Sequence, residues 1–378
     1  MEENNCHLLN SDNSNVSHLY NLSEYRNCNG SGSGERGQMP VIPTYLLVAT
    51  TSLYIIIFIS GTVGNILVVA AVGLERSMRT STNVFLVNLA LADLMVILIA
   101  LPTALTEVFA EDEWYFGNVM CKLVPILENS VAHASVLTML VIAVERFQAV
   151  CYPLTLRNKK VFSITIKWVT IAVVWLVSFI CCLPFLYIAV YRDSRYLDGT
   201  PIKVCRQYMK YSWQKVYVTI LFVVFFAIPL CIMAVLYGFV ILKLKQKSGV
   251  LYKEKNETSS RVQNARNKVI IMSITITVLF FILHAPLRIA GMWMTFTRAS
   301  NIDALGFEGF WNLICIIRVM FYVNSCVNPI VYGIVSSKFR REFWKICCMK
   351  RLYSRRADSW GSSRMLSVSG RPISQTTV

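Results

Sequence analysis

Residues Tyr45 to Gly73 read YLLVATTSLYIIIFISGTVGNILVVAAVG, an unbroken run without one charged side chain. A helix needs roughly 20 mostly apolar residues to cross about 30 Å of hydrocarbon, so this stretch is long enough to span a bilayer. Working outward, six further stretches qualify: Asn83 to Val108, Asn118 to Val150, Ile164 to Val190, Val216 to Lys243, Val269 to Phe296 and Phe310 to Val335. A hydrophobic content of 55% and a mean hydropathy of +0.52 are too apolar for a soluble domain of ordinary charge content. The expected fold class is an all-α membrane protein, a bundle of seven transmembrane helices.

The net charge of +16 suits either nucleic acid or a membrane surface, and the placement of the basic residues decides. Arg76, Arg79, Arg157, Lys159, Lys160, Lys243, Lys245, Lys247, Lys253, Lys255, Arg261, Arg266 and Lys268 fall in loops on the C-terminal side of the bundle, and Lys338 to Arg356 continue the basic run. By the positive-inside rule that side is cytoplasmic, and no nucleic-acid partner is implied. The N-terminal segment is acidic-leaning and lacks an apolar run, so the first span is expected to act as its own export signal. It carries sequons at Asn15, Asn21 and Asn29, crowded where glycosylation requires an outer location, whereas the sequon at Asn256 falls in a cytoplasmic loop and is read as chance.

Polar groups inside apolar spans are costly and mark function by default. They occur as Gly64-Asn65 in helix 1, Leu89-Ala90-Leu91-Ala92-Asp93 in helix 2, Glu145-Arg146-Phe147 closing helix 3 and Trp175 in helix 4. Pro229 and Tyr237 follow in helix 5, Phe280 and Pro286 in helix 6, and Asn328-Pro329-Ile330-Val331-Tyr332 in helix 7. In this order the set resembles the signature of rhodopsin-like (class A) G-protein-coupled receptors, over roughly Tyr45 to Cys348.

The resemblance implies roles for particular residues. Asp93, with Asn65, Ser135, Asn324, Ser325 and Asn328, would gather around an allosteric sodium ion, with a hydrogen-bonded cluster without an ion as the alternative; no cofactor is otherwise expected. Arg146 would pair with Glu145 at rest and contact a heterotrimeric G protein when released, together with Phe147, Tyr237, Asn328, Pro329 and Tyr332. Pro153-Leu154 matches the loop segment that enters the G protein, a plain turn being the other reading. Arg266 stands where helix 6 often supplies a second acid, so that cross-helix lock is not expected. Helix 6 departs from the family where His284 replaces the usual tryptophan. It would either meet the ligand or sit buried and neutral, satisfied by a neighbour.

Cys121 and Cys205 match the family disulfide, permitted in an oxidising exterior. Cys6 and Cys28 are candidates for a further bridge, their pairing open. Cys347 and Cys348 follow a basic, aromatic stretch (Lys338, Phe339, Arg340, Arg341, Phe343, Trp344) that suits an amphipathic interfacial helix with palmitoylated cysteines.

Glu128 lies two turns below Cys121, where amine receptors of this class carry aspartate, and shares a stripe with Val131, Ala132 and Ser135. A carboxylate there favours a cationic ligand group, but Arg288 and Arg318 lie at similar depth. The mixture fits a peptide ligand better than a simple amine, with an internal pair of Glu128 and an arginine as the bland alternative. Tyr322 joins His284, Arg288 and Arg318 in the expected pocket, and Arg192, Arg195, Lys203, Arg206 and Lys210 make the second outer loop basic. Trp114-Tyr115-Phe116-Gly117 resembles the family's packing motif in the first outer loop. The resemblance is strongest to the neuropeptide-sensing branch, near receptors for orexin and thyrotropin-releasing hormone.

The expected organisation is therefore an extracellular, glycosylated, disordered segment over 1–44, a receptor domain over 45–335, an amphipathic eighth helix over 336–348 and a disordered cytoplasmic tail over 349–378, in the plasma membrane. Serines at 354, 359, 362, 363, 367 and 369 read as a target of receptor kinases and arrestin, with a solvated linker as alternative. The final Thr376-Thr377-Val378 fits strand addition in a PDZ groove. A light sensor is disfavoured because helix 7 holds no lysine, the nearest being Lys338, and a transporter because no internal repeat appears. No paired catalytic constellation points to an enzyme.

Overall fold

A computed structural model describes residues 42–110, 113–152, 164–195, 201–251 and 257–348. The expectations placed on Cys6, Asn15, Asn21, Cys28, Asn29, Pro153, Leu154 and the tail fall outside the described residues, as does the side chain of Arg266.

Seven helices are long and apolar enough to cross a membrane. They are α1 (Thr44–Leu74), α2 (Ser81–Phe109), α3 (Gly117–Cys151), α4 (Ile164–Cys182), α5 (Ser212–Gln246), α6 (Glu257–Phe296) and α7 (Gly306–Val335), followed by the short α8 (Ser337–Cys347). Large apolar side chains such as Ile56, Val63, Trp168, Leu176, Val235 and Ile334 stand more than half exposed. In water that pattern would be unstable, whereas hydrocarbon makes it the expected outer face of a bundle.

Prolines shape two spans in the same way. Pro102 in α2 and Pro229 in α5 lack an N–H and clash with the carbonyl four residues back. Each helix answers with one wide π turn just before the proline, Val96–Ala100 and Val223–Ala227. Pro125, Pro286 and Pro329 lie inside α3, α6 and α7.

Close approach of α1 to its neighbours depends on two glycines. A Cβ at Gly61 would stand 2.4 Å from Ile97 Cδ1, and one at Gly64 would stand 2.9 Å from Pro329 Cβ. Below them, α1, α2, α3, α5, α6 and α7 share an inner core with Val68, Phe85, Leu89, Met139, Met233, Ile276, Phe280 and Tyr332. A second core toward the outer end joins Tyr54, Ile57, Val96, Ala100, Val131, Phe321 and Tyr322.

The fold departs from an all-α expectation in the second outer loop. Ala189–Arg195 (β1) and Pro201–Gln207 (β2) form an antiparallel hairpin with Tyr191 opposite Cys205 and Asp193 opposite Lys203. The helix expected to continue to Val190 is interrupted after Cys182, just before Pro184, which has no N–H to donate, and a single turn, Phe185–Ile188, leads into β1. The Cys121–Cys205 disulfide pins β2 to α3, and the Trp114 N–H donates to the Lys203 carbonyl at 2.7 Å, tying the first outer loop to the same strand. Trp114 is itself buried and its Nε1 donates to the Gly117 carbonyl at 2.8 Å. Gly117, with φ +70°, makes the turn into α3 that a side chain would strain.

Candidate functional site

Toward the outer end of the bundle, four spans each bring one or two polar groups inward. The ion pair of Arg318 on α7 is with Glu107 on α2, and both side chains remain about a third exposed (34% and 29%). Glu128 on α3 accepts from the Tyr322 hydroxyl of α7 at 2.8 Å, and that hydroxyl also lies 3.2 Å from the Ala100 carbonyl. Arg288 on α6 donates to the Asn129 side-chain oxygen at 2.9 Å, while the Asn129 amide donates back to the Pro125 carbonyl at 2.8 Å.

This geometry corrects the simplest pairing. Among the described residues, no salt bridge joins Glu128 to either arginine. The acid that takes Arg318 is Glu107, which sequence reasoning passed over although a charged residue inside a span is the signal that would have found it. What remains is one carboxylate, Glu128, and one guanidinium, Arg288, each held by a neutral hydrogen-bond partner and standing on different helices. These groups can therefore receive a ligand that carries both an acceptor and a cation, exchanging weak internal partners for charged ones.

The hairpin forms the rim. Arg192 stacks over the Tyr208 ring at 4.3 Å, and Lys203 lies 5.5 Å from the Tyr191 ring centroid. Lys203 also meets Asp193 at 3.6 Å across the strands, an exposed pair that contributes little. In the first outer loop the exposed Tyr115 hydroxyl donates to Glu113 at 2.9 Å, which raises its pKa above the ordinary tyrosine value.

Beneath these groups, the stripe of Val131, Ala132 and Ser135 continues down α3 to a small space of ≈ 10 Å³, about one water in size. Asp93, Asn324, Ser325, Phe280, His284 and Phe321 complete its lining. Asn328 Nδ2 donates to Asp93 Oδ2 at 2.8 Å. Asn65 is not drawn to Asp93: its amide donates to the Gly61 and Ser325 carbonyls at 2.9 and 2.7 Å. His284 is buried, stacks on Phe280 with ring centroids 3.8 Å apart and places Nδ1 3.0 Å from the Phe280 carbonyl.

At the opposite end of the bundle Arg146 pairs with Glu145 at 3.1 Å, and the same guanidinium nitrogen contacts the Thr82 hydroxyl, a partner not anticipated. The Tyr237 hydroxyl lies 3.3 Å from Thr277 Oγ1. Tyr332 stacks on Phe339 of α8 at 5.3 Å, and its buried hydroxyl has no hydrogen-bond partner among the described residues. Trp175 Nε1 donates to Asn88 Oδ1 at 2.8 Å and Asn88 Nδ2 to Thr138 at 3.0 Å, a polar brace between α2, α3 and α4. Phe339 of α8 is buried while Trp344, Cys347 and Cys348 are exposed, leaving both thiols accessible at the expected interface.

A family model for the 7 transmembrane receptor (rhodopsin family) matches residues 64–332, from the middle of α1 to the end of α7. The chain belongs to this family. The receptor is 29% identical over 315 residues to growth hormone secretagogue receptor type 1 of Sus scrofa, across 82% of this chain and 83% of that protein. It is 31% identical over 326 residues to the thyrotropin-releasing hormone receptors of Bos taurus and Ovis aries, across 80% of this chain and 79% of each. The receptor is thus a multi-pass membrane protein of a signal-transducing family whose members are receptors and not enzymes.

Proposed function

We propose that this receptor binds an extracellular neuropeptide at the cell surface and promotes nucleotide exchange on a heterotrimeric G protein. The observation that supports this reading is the separation of Glu128 on α3 from Arg288 on α6, each hydrogen-bonded to a neutral partner, toward the end of the bundle that carries the basic hairpin. A peptide supplies a cation for the first and a carboxylate or amide oxygen for the second. The peptide-hormone relatives at about the same identity support the same ligand class. A biogenic amine is the second reading, favoured by Glu128 alone, but it leaves Arg288 without use.

Activation follows as a two-state equilibrium, in which the ligand binds one arrangement of the helices more tightly and so populates it. Opening at Pro286 would release Arg146 from Glu145 and Thr82 and bring Arg146, Tyr237 and Tyr332 to the G protein, alongside Phe147, Pro153 and Leu154. The Asp93 cavity fits a small hard cation: Asp93, Ser135, Asn324 and Ser325 present oxygen donors around it, and Asn328 steadies the carboxylate. A sodium ion there would supply the charge that compensates Asp93 in a buried site. Asn15, Asn21 and Asn29 carry glycans on the extracellular side. Residues 349–378 serve receptor kinases, arrestin and a PDZ partner, and palmitoyl chains on Cys347 and Cys348 hold α8 to the bilayer.

The experiment is signalling in cells expressing the chain with a panel of G proteins, challenged with a neuropeptide library, biogenic amines and vehicle. A potent peptide response is expected; a response to amines alone would overturn the peptide reading.

A further inference from the structure

The small cavity next to Asp93 contains a donor that an oxygen-lined cation site lacks. His284 lines the same space as Asp93, Ser135, Asn324 and Ser325. Its Nδ1 faces the Phe280 carbonyl at 3.0 Å, which fixes the proton on that nitrogen in the neutral ring. Nε2 is then an unprotonated acceptor, and among the described residues it has no hydrogen-bond partner. The ring cannot rotate freely, since it is stacked on Phe280 and meets Phe321 edge-on at 5.2 Å.

This is the arrangement of a metal-ligating histidine: one ring nitrogen donates to a backbone carbonyl, which sets the tautomer and the ring plane, and the other presents its lone pair. The Asp93 carboxylate and the side chains of Ser135, Asn324 and Ser325 line the same space, a mixed nitrogen and oxygen set around a volume the size of one small ion. Imidazole nitrogen is a poor ligand for sodium and a good one for zinc, while carboxylate oxygen serves both. We infer that the Asp93 and His284 cavity is a binding site for a divalent transition-metal ion of the zinc type, which competes there with a monovalent cation. Asp93 and His284 are its two strong ligands, and Ser135, Ser325 and Asn324 supply the weaker oxygens.

Two features limit the affinity. The site carries one carboxylate for two positive charges, and Arg288 lies one helical turn outward of His284 on α6. The ion is therefore expected to bind reversibly, as a modulator of the helix arrangement and not as a structural centre. It would tie α6 to α2, α3 and α7, because His284 is the only one of these ligands on α6.

The test uses the purified full-length receptor in nanodiscs, stripped with chelator, with choline replacing sodium. Thermal unfolding followed by tryptophan fluorescence is titrated with zinc chloride, with and without sodium chloride. Zinc is expected to raise the unfolding midpoint, and sodium to shift the zinc titration to higher concentration. In His284→Phe, which keeps the aromatic stack, the zinc response should weaken more than about tenfold while any sodium response persists. An equal zinc response in His284→Phe, or a wild-type zinc response absent or indifferent to sodium, overturns the proposal. Should His284→Phe fail to fold, cobalt(II) added to the wild-type receptor decides: a visible absorption band displaced by both zinc and sodium supports the site, and its absence rejects it. A failed peptide screen leaves each of these outcomes unaffected.

Discussion

Arg318 on α7 is bound to Glu107 on α2, across 211 positions of sequence, and not to Glu128, which lies at comparable depth on α3. The consequence is a clasp between two helices at the outer mouth that uses up one of the two guanidinium groups there. Both partners are about a third exposed, so solvent screens the pair and its coupling is expected near about 1 kcal/mol. A double-mutant cycle on thermal unfolding with Glu107→Gln, Arg318→Gln and the double variant measures it. Coupling near zero would show that the pair is incidental to the fold.

Arg146 is held twice, by Glu145 and by Thr82. A charge-assisted hydrogen bond contributes about 1.5 kcal/mol or more, so losing one shifts a two-state equilibrium about tenfold. Glu145→Gln and Thr82→Val are each expected to raise ligand-independent nucleotide exchange on the G protein, with Glu145→Gln the stronger. Basal exchange unchanged in both would mean that these contacts do not restrain the arginine.

The close passage of α1 over α7 makes Gly64→Ala a steric test. Its new methyl would sit 2.9 Å from Pro329 Cβ, forcing the helices apart at a cost of about 1–3 kcal/mol. Gly73→Ala is the control, since nothing lies within 4 Å of the added carbon. The unfolding midpoint should fall in the first and hold in the second.

Trp175→Phe removes the donor to Asn88 and leaves a buried amide oxygen unsatisfied, at about 1–3 kcal/mol. The pairing of that change with Asn88→Leu distinguishes a lost bond from lost packing. If the hydrogen bond matters, Trp175→Phe should cost less in the Asn88→Leu background than alone.

The spans and their order were legible because each is a long apolar run, and the disulfide because both cysteines sat at family positions. Their ends were less so. α7 begins at Gly306, a turn before the expected Phe310, and α6 extends back to Glu257 through polar residues that no hydropathy window includes. The hairpin escaped because Tyr191-Arg192-Asp193-Ser194-Arg195 offers no apolar alternation; its register is held by backbone bonds, by Cys205 and by Ile202 and Val204 packing inward. Within the site, residue types could be named from helical spacing, but which acid takes which arginine depends on the rotation of four helices about their axes. That is why the pairing of Glu107 with Arg318 and the role of Asn129 emerged only from the structure, and Thr82 likewise at the inner end.

The central claim is that Glu128 and Arg288 are the two charges a peptide meets. The most direct measurement is the potency of an activating peptide on Glu128→Gln, Arg288→Gln and the wild-type receptor at equal surface expression. Each single change should reduce potency at least about tenfold, the equivalent of about 1.4 kcal/mol. Full potency retained in either variant would contradict the account.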